Sequence, residues 1–405
     1  MKTFTQKTLL GVMLAGTTAL PALADDISWI YCGDSIDPVH EKYIADWEAA
    51  NEGWTVTPEV VGWAQCQDKA TTLAAAGSPA AMAYVGSRTL KEFALSELIV
   101  PVPMTEEEQG LYYPHIVDTV TFEGTQWGVP IAFSTKAFYW NKDIFEAAGL
   151  DPNTPPATWE EEIAFAKQIT ENTDFAGYGL SAKTFDNTMH QFLHWVYTNN
   201  GQIIDADDNI VMDSPEVLAA LQAYQDIVPY SVEGATAYEQ NEMRAIFLDG
   251  QVGMLQASVG AAMRLADTDI NWGVANLPLG PSADGPGTLL ITDSLAIFAG
   301  SGVEEKAIEF AKFITSPDVQ LEYEMSPTAG LTPLRPSARV DQLVEESPFW
   351  GPYIEGIAYG GPEPLFTDYK GFQNVMIDMV QSVVTGDAEP AEALSEAAAE
   401  IEEYK

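Results

Sequence analysis

Cysteine, histidine and positive charge are all scarce here: 405 residues carry two Cys, four His and 18 Lys plus Arg against 60 Asp plus Glu. The formal charge of −42 excludes non-specific nucleic-acid binding, which needs a basic surface, and disfavours anionic membranes. It reads as a solubility adaptation to salty surroundings, where counter-ions screen self-repulsion. Cys32 and Cys66 permit a single disulfide in an oxidising compartment, the alternative being two unpaired thiols. His190 and His194 have the spacing of a zinc pair, but Gln191 stands where a zinc protease has its Glu, and no third ligand is evident. No G-x-S-x-G, Walker loop or dinucleotide fingerprint occurs. Among 60 acids no motif favours any one carboxylate pair for glycoside hydrolysis. Neither catalysis, a cofactor nor a metal is therefore expected.

Long apolar runs are also missing. Leu9 to Leu20 is flanked by Lys2 and Lys7 before it and Ala22-Leu23-Ala24 after it. It is too short to span a bilayer, and residues 1–24 read as a secretory signal cleaved near Ala24. The next residue is Asp25 and not Cys, so no lipid anchor is expected, and a freely diffusing product implies the periplasm as the retaining compartment. Losing Lys2 and Lys7 leaves 16 basic against 60 acidic residues, a mature charge of about −44.

Apolar and aromatic residues are plentiful: 46% of the chain is hydrophobic, with 10 Trp, 16 Tyr and 17 Phe. That supports sizeable cores, and the length favours two domains. Ile27–Tyr31 alternates like a strand and ends in the turn Cys32–Ser35. A helix over about 38–50 places Tyr43, Ile44 and Trp47 on one face. Thr55–Val61 and Met82–Val85 are further strands, each closing in a loop that feeds a helix. This alternation predicts an α/β fold with a parallel sheet and ligand at the strands' carboxyl ends. Those ends carry Asp34, Ser35, Trp63, Gln65, Ser87 and Arg88. The serines serve equally well as helix caps. Arg88, one of five arginines, is either a ligand contact or an ion-pair partner, and Trp63 is either a stacking platform or core.

Trp127 to Phe145 runs as an apolar strand, a polar break at Ser134-Thr135-Lys136, the aromatic run Phe138-Tyr139-Trp140, and a helix that Asn141 or Asp143 could cap. Two strand-like runs around so short a break suggest a crossing between two lobes. From Leu98 onward the chain resembles the family 1 extracellular solute-binding proteins of ABC importers. The resemblance rests on Gly124–Pro130, Pro130–Ala132 with Ala137–Asn141, Phe247–Gln256, Asn271–Pro278 and Gly330–Arg335. Trp140 replaces the family's usual Tyr.

The resemblance implies a periplasmic-binding-protein type II fold: two α/β lobes joined by crossings near 134, 278 and 330, with a ligand cleft between. Lobe one would be 25–134 plus 279–330, and lobe two 135–278 plus 331–405. Sugar faces pack on aromatic rings while sugar hydroxyls need paired donors and acceptors. His194, Trp195, Ser258 and Trp350 are therefore candidates in lobe two, with Asp293 near the second crossing. Arg335 at the last crossing, Tyr359 on a late turn, and Phe133 and Ser134 at the lobe boundary complete the set. The flanking aromatics 138–140 read as lobe-two core. The implied function is a monomeric periplasmic receptor that carries a sugar, glycoside or polyol to a membrane permease. An anionic sugar derivative held by Arg88 is the alternative cargo, and a secreted carbohydrate-active enzyme or lectin the alternative class.

Overall fold

The structure, a computed structural model, describes residues 25–205 and 207–405; the expected export segment, 1–24, lies outside the described residues. Strand and helix alternate from the start: β1 (Asp25–Cys32), a helix over Pro38–Ala50, β2 (Trp54–Val61), a helix over Trp63–Ala75, and β3 (Met82–Gly86). β1 pairs in parallel with both β2 and β3. A parallel strand is covered on both faces, and β3 is accordingly buried along its length. Asp37 caps the first helix by accepting the Val39 N–H at 2.9 Å, and Pro38 follows in its first turn. That helix buries Ile44 and Trp47, while Tyr43 is only half buried.

A hairpin of β4 (Thr121–Phe122) and β5 (Thr125–Gln126) precedes β6 (Val129–Ser134). Only two residues later, β7 (Ala137–Asn141) begins in a different sheet. It is joined there by β8 (Ala176–Tyr178), β9 (Val252–Ala257) and β10 (Trp272–Ala275), in the order β10-β7-β9-β8. The chain then returns through β11 (Leu289–Ile297), which lies antiparallel to both β3 and β6, and β12 (Gly361–Pro362) extends this first sheet from the outer end of β11.

Each sheet has its own core. In the first lobe Trp29, Trp47 and Phe310 meet edge-to-face at 5.1 to 6.0 Å. In the second, successive residues of β7 point to opposite faces. Phe138 and Trp140 enter one core and Tyr139 the other, so the aromatic run is lobe-two core as expected.

The three passages between lobes lie side by side. The Thr135 N–H donates to Thr332 Oγ1 at 3.3 Å, the Thr332 N–H to the Phe133 carbonyl at 3.0 Å, and the Lys136 N–H to Thr288 Oγ1 at 3.5 Å. Thr288, directly before β11, thus lies beside the other two connecting segments, ten residues beyond the expected crossing at 278. Residues 279–287 stay on the second lobe because Gly280 N–H bonds the Thr198 carbonyl at 2.9 Å and Ser282 N–H bonds Asn199 at 2.7 Å. A Cβ at Gly287 would overlap the Tyr197 carbonyl, so the close approach needs glycine there.

One buried group sets an acid limit on the first lobe. His40 is inaccessible, stacks on Tyr323 at 4.0 Å, and its Nδ1 lies 2.9 Å from the Tyr31 hydroxyl. Its Nε2 has no partner among the described residues. Burial holds its pKa at about 3. The unfolded chain takes up this proton as pH falls through about 6.5 while the native chain does not. Stability is thus present above 6.5 and lost as pH falls towards 3. Urea unfolding between pH 6 and 4 should show wild type losing about 1.4 kcal/mol per pH unit more than His40→Phe; parallel slopes would refute this.

Candidate functional site

The carboxyl ends of β1 and β3 open on a cleft of about 630 Å³ between the lobes, well within the range of small-molecule sites. From the first lobe Asp34, Ser35, Trp63, Gln65, Arg88 and Asp293 face it; Ser134, at the first passage, and Ser258, from the second lobe, do so as well. Eight of the expected residues are thereby brought together. Trp63 opens its helix after Gly62 and stays 47% exposed, standing edge-on to Tyr84 at 5.1 Å. An indole left half open beside polar groups is not core, and its face is free towards the cleft. Ser258 precedes the helix Val259–Leu265 without its hydroxyl capping it, which leaves that oxygen to the cleft. Cys32 and Cys66 form a disulfide that ties the end of β1 to the helix beginning at Trp63.

Arg88 is enclosed by acids. Its NH2 donates to Asp186 at 3.0 Å, and its NH1 to Glu363 at 3.1 Å and to Asp293 at 3.4 Å. Glu363 also faces His190 Nε2 at 2.5 Å and accepts from the Tyr369 hydroxyl at 3.0 Å. Burial pushes the Glu363 carboxyl up, but Arg88 and then His190 outweigh it and leave the pKa at about 2. Burial likewise pulls the guanidinium down, and the surrounding acids, Glu363 first, hold it well above its ordinary value. Arg88 is thus an ion-pair partner, with three of its five N–H donors directed at carboxylates.

Seven expected residues do not line the cleft. Phe133 is inaccessible in an apolar cluster with Tyr112, Ile116, Leu290 and Leu334. Ser87 is buried with its hydroxyl 2.7 Å from that of Ser294. His194 Nδ1 accepts the Leu289 N–H at 3.1 Å, which fastens β11 to the second lobe. Trp195 packs on Trp159 at 5.3 Å inside the core, and Trp350 stacks on Phe349 at 5.6 Å in another. Arg335 lies over the Tyr112 ring at 4.0 Å and donates to the Thr315 carbonyl at 2.8 Å. Tyr359 is exposed outside the cleft.

Sequence reasoning missed Lys136, Asp186, His190, Arg244 and Arg264, all of which line the cleft. Lys136 had a signal, as the one base in the polar break between β6 and β7. The arginines lie within ordinary helices, Gln240–Leu248 and Val259–Leu265, where nothing local marks the face they present.

Residues 34–321 match the model of the bacterial extracellular solute-binding protein family. The chain is 26% identical over 373 residues to a putative binding protein of Brucella abortus, covering 90% of this chain and 89% of that one. It is 28% identical over 315 residues to the sn-glycerol-3-phosphate-binding periplasmic protein UgpB of the same species, covering 72% and 70%. The maltose-bound MalE3 of T. maritima superposes with a TM-score of 0.82 at 25% identity, over 94% of this chain and 99% of that one. The two lobes and their passages are those of a type II periplasmic binding protein, and no helix among the described residues is long and apolar enough to cross a membrane. The chain belongs to the bacterial extracellular solute-binding proteins.

Proposed function

We propose that this receptor captures a small polyhydroxylated solute, a sugar, glycoside or polyol, in the periplasm and delivers it as a monomer to the permease of an ABC importer. The observation that carries the reading is the open Trp63 ring set among Asp34, Ser35 and Gln65 at the mouth of the interlobe cleft. A ring face takes the C–H side of a sugar, and the polar groups pair its hydroxyls. The relatives' cargo, maltose for MalE3 and glycerol 3-phosphate for UgpB, is of the same broad class. We assign lobe one to 25–134 with about 289–330 and lobe two to 135–288 with most of 331–405. Closure about the three adjacent passages would bury the solute, which stabilises the closed state only by its differential affinity for it.

A thermal-shift screen of sugars, polyols and sugar acids identifies the cargo, because bound ligand raises stability by mass action. The responding solute should compact the protein in small-angle scattering and be recovered chemically unchanged. Trp63→Ala should weaken its binding by about 30-fold, close to 2 kcal/mol, without altering the melting of the unliganded protein. No compaction at saturation, or turnover of the solute, would overturn the receptor reading.

A further inference from the structure

The cleft's acids and bases are partnered very differently. Asp37 accepts the Val39 N–H and the Ser326 hydroxyl, Asp186 and Asp293 face Arg88, and Glu239 accepts the Glu242 N–H at a helix start. Asp34 is exposed. Of the four Lys and Arg side chains lining the cleft, only Arg88 is ion-paired among the described residues. Lys136 is buried, and its ammonium has one partner among the described residues, the Ser134 hydroxyl at 3.3 Å. Arg244 is half buried and Arg264 exposed. Neither makes an ion pair or side-chain hydrogen bond with any described residue, in a chain with 60 acids to choose from. Bases so outnumbered normally find a carboxylate.

Resting on the receptor reading above, we propose that the cargo is an anionic sugar derivative, a hydroxylated molecule with one carboxylate, phosphate or sulfonate. Its acidic group sits on the second-lobe wall among Lys136, Arg244 and Arg264. Its hydroxylated part lies towards Trp63. The bases act on one another: burial first, then the like charge of Arg244, outweighs the pull of Asp186 and Asp293 and brings Lys136 down to about 8. Burial and then Arg264 bring Arg244 down to about 10. An anion among them relieves that repulsion and accepts charge-assisted hydrogen bonds. A neutral sugar would leave three cations facing one another across its hydroxyls.

Matched pairs test this on the full mature chain, freed of ligand by unfolding and refolding: glucose against glucuronate and glucose 6-phosphate, and glycerol against glycerol 3-phosphate. Titration calorimetry and melting shifts should show at least one acid binding 100-fold or more tighter than its neutral parent, and weakening as salt rises from about 20 to 500 mM. Arg264→Gln, at an exposed position where folding is not at risk, should lower that acid's affinity tenfold or more, and so should Arg244→Gln. A neutral parent that binds as tightly as its acid overturns the cation assignment and leaves the receptor reading standing. An acid preference unchanged in both variants does the same. No response to either series overturns both.

Discussion

Replacing Arg88 with alanine should lower the free energy of unfolding by about 3–5 kcal/mol at pH 7.5, the cost of stranding buried charges by removing their partner. Among the described residues the guanidinium is the one cation that Asp186, Asp293 and Glu363 share, and the Glu363 side chain is 4% exposed. Arg88→Lys keeps the charge but loses the fork that reaches several carboxylates at once, so it should fall between alanine and wild type. The sign with pH follows from Glu363. Its folded pKa is held at about 2, so its contribution is present above about 4.5 and lost as pH falls towards 2. In Arg88→Ala that carboxyl titrates higher and the acids relax by taking up protons. The deficit should therefore be largest at neutral pH and shrink by pH 4.5. Urea unfolding at the two values decides it, and a deficit under about 1 kcal/mol at pH 7.5 would mean that the cluster is solvated and not a stabilising element.

The same cluster joins parts of the chain that closure must move. Arg88 and Asp293 belong to the first lobe, Asp186 opens a helix of the second, and Glu363 follows β12 beside the connecting segments. The Arg88–Asp186 pair joins residues on the two sides of the cleft, so it is expected to favour the closed state without any cargo. Its loss should show in scattering as a more open unliganded protein, separately from its effect on unfolding.

What could be read from sequence depended on range. The first 90 residues declare themselves because strand and helix periods alternate cleanly, and the rule that ligands meet strand carboxyl ends finds Asp34, Trp63, Gln65 and Arg88 together. Trp195 shows the opposite case. Phe192, Leu193 and Val196 lie beside it on the helix Asp186–Tyr197, whose cleft-facing positions are taken by Asp186 and His190 while Trp195 turns to the core. An aromatic there had no open face to offer a sugar. Arg244 lies one turn before Phe247, on a helix whose outward residues are equally polar, so only tertiary packing turns it to the cleft. Glu363 sits in the uninformative run Gly360-Gly-Pro-Glu-Pro364. Its role appears only when the strand Gly361–Pro362 joins β11. Family resemblance made the break at 134–136 a hinge, and the structure adds that the hinge also delivers Lys136 to the cleft wall.

Removing the disulfide should be nearly as damaging as removing Arg88, with a second consequence. Cys32 and Cys66 close a loop with a sequence separation of 34, which in the chain-entropy model stabilises the fold by about 3–4 kcal/mol. Reduction under native conditions, or the double change Cys32→Ala and Cys66→Ala, should lower the urea midpoint accordingly. If the bond acted only by restricting the unfolded chain, affinity for cargo would not change. Its position argues otherwise. It clamps the turn carrying Asp34 and Ser35 against the helix start carrying Trp63 and Gln65, and Cys32 itself borders the cleft. Freeing that rim adds an ordering cost to binding of about 1.4 kcal/mol, or tenfold in affinity. The double variant should therefore bind the solute that stabilises wild type about tenfold more weakly. Wild-type affinity together with a lowered midpoint would confine the bond's effect to the unfolded chain.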